Sequence, residues 1–260
     1  MKKSSGEPVL HESVDARLTS VIKRWAKREF CTGNPEVRDA WIETQIKALP
    51  SGCRLLDAGA GELRFKQFCG HLQYVSQDFG RYDGVGDNSA LQTGTWNSSQ
   101  VDILCDITEI PEPDASFDAV MCIEVLEHLP APIDALREFY RLLRRSGELI
   151  ITAPFASLTH FAPYHYYSGF NRYFYSHWLE SLGFKILEIS SYGNYFDYLR
   201  QELLRAKSVA QRYTGEKKVF SLLEHFALFL ALKAFKRVST RDKGSDEILC
   251  FGYMVRAVKQ

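Results

Sequence analysis

Between residues 53 and 155, short apolar segments alternate with segments of helical character. The apolar segments, each about the length of a strand, read CRLLDA, QYVSQD, VDILCD, FDAVMCIEVL and ELIITAPF. Parallel strands need a crossover connection, usually a helix, so this alternation predicts βαβ units around a mainly parallel sheet. We therefore predict an α/β fold, with a mixed α+β arrangement as the alternative.

Four segments carry helical signals. In NPEVRDAWIETQIKAL, Asn34 is predicted to cap the helix and Pro35 to take its first position. The segment ELRFKQFCGHL, at residues 62–72, is predicted to be helical, and so is APIDALREFYRLLRRSG, with Gly147 as its stop. A further amphipathic helix is expected at residues 13–28.

The alternation stops after residue 155. An aromatic loop is followed by a short helix in YSHWLESLGF, a strand in KILEIS, a long stretch of helical character and a last strand in ILCFGYMVRAVK. Since the sequence leaves no room for a helix after the last strand, we expect the two late strands to pair in an antiparallel way at one edge. One domain is expected overall, divided into N-terminal helices (1–50), a core (51–190), a helical insertion or lid (191–246) and a final strand (247–260).

Charge and cysteine content narrow the function classes. The 260 residues include 32 basic and 32 acidic side chains, which gives no reason to expect a protein drawn to nucleic acid by phosphate charge. The six cysteines form no CxxC pair, so we interpret them as reduced residues of a cytoplasmic protein. The stretch MKKSSGEPVLHESVDARL has no apolar run behind its lysines and does not have the pattern of a signal peptide.

The segment LLDAGAGELRF, residues 55–65, has the pattern of a cofactor-binding loop. Two glycines follow a strand, which allows a tight turn and a close approach of a ligand to the backbone. Arg64 stands where a dinucleotide-binding fingerprint has its third small residue, and Asp57 would repel a pyrophosphate. The loop therefore favours a cationic ligand, with an unliganded turn as the alternative.

Two more acids end the next two strands. Asp78 closes YVSQD, where an acid can accept hydrogen bonds from both hydroxyls of a ribose. Asp106 closes ILCDI and could accept from an adenine amine, with Ile107 offering backbone groups and an apolar wall. One acid at a strand end is often only solvated, but three at successive strand ends predict a ligand site, because open α/β sheets bind ligands there.

Together with CIEVLEHLPAP and LESLGFKILEIS, these motifs resemble the class I S-adenosylmethionine-dependent methyltransferases, in the branch that acts on small substrates, over residues 55–190. The resemblance implies S-adenosylmethionine as the cofactor and a Rossmann-like, seven-stranded, mainly parallel sheet. It also implies helices on both faces, an antiparallel last strand and a helical insertion before that strand. Two departures from the family pattern are the absence of a third glycine near Leu63 and the segment RRSGE in place of a lysine-proline-glycine-glycine turn.

The resemblance also assigns roles residue by residue. Asp57, Gly59 and Gly61 would line the methionine portion, Asp78 would bind the ribose, Asp106 and Ile107 would hold the adenine, and Glu124 would lie beside the cofactor. His128, in EVLEHL, is placed by the motif near the transferred methyl group. It is a candidate general base or acceptor-positioning residue, with packing or cofactor support as the alternative.

The loop THFAPYHYYSGFNRYF, residues 159–174, is expected over the acceptor site. Aromatic side chains with polar tips suit a substrate wall. The candidate acceptor residues are His160, Tyr164, His165, Tyr167 and Arg172, although the same pattern could serve to fix the loop. The two histidines have no third partner at a convincing spacing, so no metal site is predicted.

Residues 219–235 of the insertion are apolar on most faces but too short to span a bilayer. Basic residues flank this stretch: Lys217, Lys218, Lys236 and Arg237. Three interpretations stay open, namely a lid over the substrate site, a helix on an anionic membrane surface through residues 217–237, and a contact in a homodimer.

The resulting functional hypothesis is methyl transfer from S-adenosylmethionine to a small-molecule, saccharide or lipid-linked acceptor, with no nucleic-acid partner. The protein is expected in the cytoplasm or at the periphery of a membrane. The alternative is a catalytically inactive module of the same fold that binds the cofactor or has a regulatory role.

Overall fold

The computed structural model describes residues 33–260. The helices are α1 (Asn34–Ala48), α2 (Pro132–Leu142), α3 (Arg172–Ser181), α4 (Tyr195–Thr214) and α5 (Leu222–Ser239). The strands are β1 (Arg54–Ala58), β2 (Gln73–Asp78), β3 (Ile103–Leu104), β4 (Phe117–Ile123), β5 (Leu143–Pro154), β6 (Phe184–Tyr192) and β7 (Gly252–Lys259). Single 3₁₀ turns lie at Lys66–Phe68, Leu126–His128 and Ser245–Glu247. The helix predicted at residues 13–28 lies outside the described residues.

The seven strands form one sheet in the order β3-β2-β1-β4-β5-β7-β6. The pairs among β1 to β5 are parallel, and β7 runs antiparallel between β5 and β6. The predicted seven-stranded, mainly parallel α/β sheet with an antiparallel last strand is confirmed. Because β1 has β2 on one side and β4 on the other, the strand order reverses there, and a crevice opens at the carboxyl ends of these strands.

Apolar cores cover both faces of the sheet. On one face, buried side chains of α2 and α3, such as Phe139 and Tyr175, pack against the central strands. On the other face, Ile42 and Ile46 of α1 pack near Met121 of β4. Because side chains of β4 enter both cores, this strand is an almost continuous apolar run rather than an alternating one.

The segment after β1 is not the helix that its sequence predicts. Within residues 62–72, only Lys66–Phe68 forms a single 3₁₀ turn. Gly61 has a φ of 50° and Leu63 a φ of 58°, so both lie in the left-handed region and a right-handed helix cannot continue from the glycine turn. The family pattern has a third glycine near Leu63. Here a leucine takes up a backbone conformation that favours glycine.

Two helix ends also differ from the prediction. Asn34 is the first residue of α1 rather than its cap, and its side-chain amide donates to Oε1 of Gln201 at 2.9 Å. Helix α2 ends at Leu142, because Leu143 already belongs to β5, and Gly147 lies within that strand.

The insertion before β7 folds into the helix pair α4 and α5. The side-chain amide of Asn194, which caps α4, donates to the carbonyl of Ser239, so the start of α4 lies against the end of α5. Helix α5 begins with a capping box in which Ser221 and Glu224 satisfy each other's backbone amides. No helix within residues 33–260 combines the length and the apolar content that crossing a membrane requires.

Candidate functional site

A cavity of about 1160 Å³ opens at the carboxyl ends of β1, β2 and β4. The predicted cofactor residues all line it: Asp57, Gly59, Gly61, Asp78, Asp106, Ile107 and Glu124. The turn after β4 and part of the aromatic loop after β5 complete this wall, together with residues of α1 and α4. The cavity therefore joins segments that are far apart in the sequence.

The glycine turn after β1 leaves no room for side chains. Gly59 has a φ of 78°, and a Cβ atom there would lie 2.5 Å from Cγ2 of Val125. A Cβ atom at Gly61 would overlap the ring of Trp96. The amide of Gly59 donates to the carbonyl of Gln77 at 2.9 Å, which ties the turn to the end of β2. Glycine is required at both positions, and bare backbone borders the cavity as a result.

Asp57 is a buried carboxyl group beside a second acid. Its Oδ2 accepts a hydrogen bond from Oη of Tyr74 at 2.6 Å. Burial raises the pKa of Asp57 to about 7; the bond from Tyr74 opposes this rise and the charge of Asp78 adds to it. A bound sulfonium or ammonium group would place a positive charge beside Asp57 and so favour its ionised form.

Backbone amides hold the carboxylates of Asp78 and Asp106. Oδ2 of Asp78 accepts from the amide of Gly61 at 3.0 Å, and its Oδ1 accepts from the amide of Gly80 at 2.8 Å. Oδ1 of Asp106 accepts from the amide and the hydroxyl of Thr108, and these bonds lower the pKa of Asp106. Each carboxylate oxygen has two lone pairs, so both acids keep the capacity to accept from ligand hydroxyls or amines.

Glu124 is held by a residue that the sequence patterns did not single out. Its Oε2 lies 2.7 Å from Nη1 of Arg38 in α1, and Oγ1 of Thr152 donates to its Oε1 at 2.9 Å. Arg38 also lies close to Tyr192 at the end of β6. No local signal marks Arg38, because α1 reaches the cavity only once the whole sheet is assembled.

His128 lies in the 3₁₀ turn after β4 and is mostly buried. Its Nδ1 is 2.6 Å from the carbonyl of Tyr164, so the ring donates a proton there, and its plane stacks on Phe161. Burial is the main cause that lowers the pKa of His128 to about 3, and the charge of the neighbouring His160 adds to it. A base with so low a pKa takes up protons weakly at neutral pH, which favours a positioning role over general-base catalysis.

The aromatic loop brings only some of the candidate acceptor residues to the cavity. His160 and Tyr164 line it. His165 packs against His160, with ring centroids 4.9 Å apart, and Tyr167 and Arg172 do not line the cavity. An acceptor bound here would therefore meet His160 and Tyr164 rather than Tyr167 or Arg172.

The loop between β2 and β3 adds an aromatic wall that the sequence analysis missed. Tyr82 stacks on Phe161, with ring centroids 4.5 Å apart, and Trp96 meets both rings at steep angles. The signal available in the sequence is the presence of three large aromatic residues, Phe79, Tyr82 and Trp96, in a loop otherwise rich in Gly, Asp, Asn and Ser.

Glu127 is a second residue that the sequence analysis missed. Its side chain is 1% exposed, yet it borders the cavity beside His128. Burial raises the pKa of Glu127, and the charge of Glu124 adds to the rise. No hydrogen-bond partner for its Oε2 exists among residues 33–260.

Comparisons with known proteins agree with this geometry. Residues 56–151 match a family model described as a methyltransferase domain. Two relatives are named ubiquinone biosynthesis O-methyltransferase, one from Xanthomonas axonopodis pv. citri (27% identical over 150 residues) and one from Xanthomonas oryzae pv. oryzae (31% identical over 149 residues). The chain spans 61% of the length of each relative, and each match takes in 55% of this chain.

Two solved structures share the fold. A SAM dependent methyltransferase from Archaeoglobus fulgidus has a TM-score of 0.52 at 18% identity, with 86% of this chain and 94% of that chain covered. The cyclase SpnF has a TM-score of 0.50 at 18% identity, with 85% and 80% covered. At these identities the likeness concerns the fold alone, and one fold can host several reactions.

Proposed function

Because this chain belongs to the class I S-adenosylmethionine-dependent methyltransferases, whose cofactor is S-adenosylmethionine, we propose that it transfers a methyl group from this cofactor to an acceptor hydroxyl. The acceptor classes that we propose are a small molecule, a saccharide or a lipid-linked molecule. The choice of a hydroxyl is supported by the two relatives that are named O-methyltransferases.

The observation that carries the proposal is the continuity of the cavity. The glycine turn, the acids at the ends of β1 and β2 and the acid after β3 form one part of its wall, and His128, His160 and Tyr164 form another. A cofactor held by the first part and an acceptor held by the second would share one space. In-line transfer needs this arrangement, because the acceptor atom must approach the methyl carbon from the side opposite the sulfur.

In this proposal the protein binds and orients, and the bound cofactor supplies an activated methyl group. Asp57 would face the positive charge of the cofactor. Asp78 would accept from the ribose hydroxyls, and Asp106 from the adenine amine. The imidazoles and the tyrosine of the second wall would hold the acceptor, so that its hydroxyl oxygen points at the methyl carbon.

Titration calorimetry of the purified protein with S-adenosylmethionine, with NAD as the comparison ligand, tests the cofactor side. The wild-type protein should bind S-adenosylmethionine and not NAD. Asp78→Ala should weaken S-adenosylmethionine binding by about tenfold or more, because the ribose loses hydrogen bonds to a charged group.

Asp114→Ala is the matched control, since Asp114 is an exposed acid that precedes β4 and does not line the cavity. It should bind S-adenosylmethionine as the wild type does. An unchanged affinity in Asp78→Ala would exclude the ribose contact.

The alternative is an inactive module that binds the cofactor without turnover. Incubation with S-adenosylmethionine labelled in its methyl group, first with lipid-linked and sugar hydroxyls, separates the two. Label in an acceptor supports the enzyme. A folded protein that binds the cofactor but labels none of these acceptors favours the inactive module.

We further propose that α5 rests on an anionic lipid surface and so favours lipid-linked acceptors. Large apolar side chains of α5 are exposed, namely Leu222, Leu223, Phe226 and Leu230 at 92, 77, 58 and 50%. At about 100° per residue, these four share one helix face with Lys233 and Arg237, and the buried Leu232 lies away from that face. Apolar side chains followed by cations on the same face suit a helix that lies at a lipid interface.

A further inference from the structure

Two histidines and a glutamate converge at the acceptor end of the cavity. Single nitrogen or oxygen atoms of Glu127, His128 and His160 all lie within 4.8 Å of one another. Glu127 and His128 follow β4, whereas His160 belongs to the loop after β5, so the fold and not the local sequence brings them together. All three residues line the cavity.

Both imidazoles are oriented in the same way. Nδ1 of His128 lies 2.6 Å from the carbonyl of Tyr164, and Nδ1 of His160 lies 2.8 Å from the carbonyl of Leu158. A carbonyl can only accept, so each Nδ1 carries the hydrogen and each neutral ring presents the lone pair of Nε2. A backbone carbonyl that fixes the tautomer in this way is the usual second partner of a metal-binding histidine.

The carboxylate of Glu127 lacks the partner that a buried acid needs. Its Oε1 lies 3.7 Å from Nε2 of His128, which is too long for a hydrogen bond. Its Oε2 has no hydrogen-bond partner within residues 33–260. A buried polar atom without a partner is costly, and a bound cation between the carboxylate and the two Nε2 lone pairs would remove this cost.

We propose that Glu127, His128 and His160 form a binding site for one divalent transition-metal ion, of the class of Zn²⁺, Mn²⁺, Fe²⁺ or Co²⁺. Two imidazole nitrogens with one carboxylate oxygen suit this class, whereas Mg²⁺ and Ca²⁺ prefer oxygen ligands throughout. Three protein ligands leave coordination positions open towards the cavity, where an acceptor oxygen can bind.

The role of the ion rests on the proposed function. An acceptor hydroxyl bound to the ion would lose its proton to water more easily, because the ion stabilises the resulting oxyanion. The oxygen would then form a bond to the methyl carbon while the carbon–sulfur bond breaks. The electron pair of the broken bond would stay on the sulfur, which becomes a neutral thioether. The release of one proton balances the step.

Metal binding is measured directly, without cofactor or acceptor. The purified protein is stripped with a chelator and titrated with Co²⁺ while its visible absorption is recorded, and Zn²⁺ retention after gel filtration is measured by elemental analysis. We expect one ion per chain. His160→Gln should weaken Co²⁺ binding by at least tenfold, and Glu127→Gln should do the same.

His177→Gln is the matched control, because His177 is an exposed histidine of α3 that does not line the cavity. It should bind Co²⁺ as the wild type does, and S-adenosylmethionine titration of every variant reports whether the cofactor side is intact. No stoichiometric ion in the wild-type protein, or equal Co²⁺ affinity in His160→Gln and His177→Gln, would overturn the proposal.

The failure of this inference and the failure of the proposed function are distinguishable. If the metal-free protein binds S-adenosylmethionine but no ion, the metal site is excluded and the methyltransferase proposal remains intact. If the protein binds one ion but no S-adenosylmethionine, the methyltransferase proposal is excluded and the metal site remains.

Discussion

The charge of Asp57 is expected to change with pH in the range where the protein would be studied. Its pKa of about 7 is raised by burial, whereas a bound cation would lower it. Below pH 7, Asp57 is mostly protonated in the free protein, so binding of the cationic cofactor must release this proton. The affinity for S-adenosylmethionine should rise with pH between 5.5 and 7, by up to about tenfold per pH unit, and titration calorimetry measures that slope.

Asp57→Asn keeps the size of the side chain and the bond from Tyr74 but cannot ionise. Its affinity should be lower than that of the wild type at pH 7 and nearly constant from pH 5.5 to 7. Equal slopes in the two proteins would contradict a cationic ligand at Asp57. The range stops at pH 7 because a free α-amino group, such as that of the cofactor, titrates at about 7.7 to 8.0.

Residues differ in how far the sequence reveals them. Asp57, Asp78 and Asp106 directly follow apolar runs, so the strand pattern alone predicts that they gather at one edge of the sheet. Arg38 has no such signal, because its partner Glu124 is far away in the chain, and Glu127 meets His160 only through the fold. The spacing of His160 and His165 contains no hint of Glu127, the third residue of the proposed metal site, so no such site is predicted from the sequence.

Secondary-structure elements were predictable where a long pattern determines them. Strand β4 and helix α2 have extended apolar patterns, and their existence agrees with the prediction. The segment at 62–72 has helical composition, but the conformation of Leu63 breaks the helix. That conformation follows from the tight turn after β1, which composition does not report.

The exposed face of α5 makes a prediction at this scale. The protein should co-sediment with vesicles that contain anionic phosphatidylglycerol and only weakly with neutral phosphatidylcholine vesicles, and added salt should reduce the bound fraction. Phe226→Glu places a charge in the middle of the apolar face. It should lower vesicle binding by tenfold or more, because burial of a large apolar side chain contributes about 1.5 to 3 kcal/mol.

Tyr213→Glu is the matched control, since Tyr213 is an exposed aromatic residue of α4 outside that face. It should leave vesicle binding unchanged. The absence of vesicle binding together with a dimer in light scattering would favour a contact between two copies of the chain. A monomer that does not bind vesicles, and in which Phe226→Glu weakens acceptor binding, would favour the lid.

At the scale of the whole molecule, the sheet order explains why one cavity can serve two ligands. The reversal between β2-β1 and β4 opens the crevice for the cofactor, and the loop after β5 extends the cavity on the other side. Sequence alternation was enough to predict the sheet. It could not predict how α1 and α4 meet the cavity, because those contacts depend on the packing of complete layers.

Arg38 links these layers, because it pairs with Glu124 after β4 and lies close to Tyr192 of β6. The side chains of Arg38 and Glu124 are only 12% and 26% exposed, so removal of the cation leaves a largely buried carboxylate without its counter-charge. Arg38→Met should lower the free energy of unfolding by about 2 to 4 kcal/mol, measured by urea denaturation.

Arg137→Met is the control for this loss, since Arg137 pairs with Asp134 at the surface, where both side chains are more than half exposed. Its cost should stay below about 1 kcal/mol, because water screens such pairs. The double variant Arg38→Met/Glu124→Gln should recover part of the loss, since the unpaired charge is then gone. Equal costs for Arg38→Met and Arg137→Met would mean that burial does not strengthen the Arg38 pair, and that apolar packing of α1 alone holds this side of the cavity.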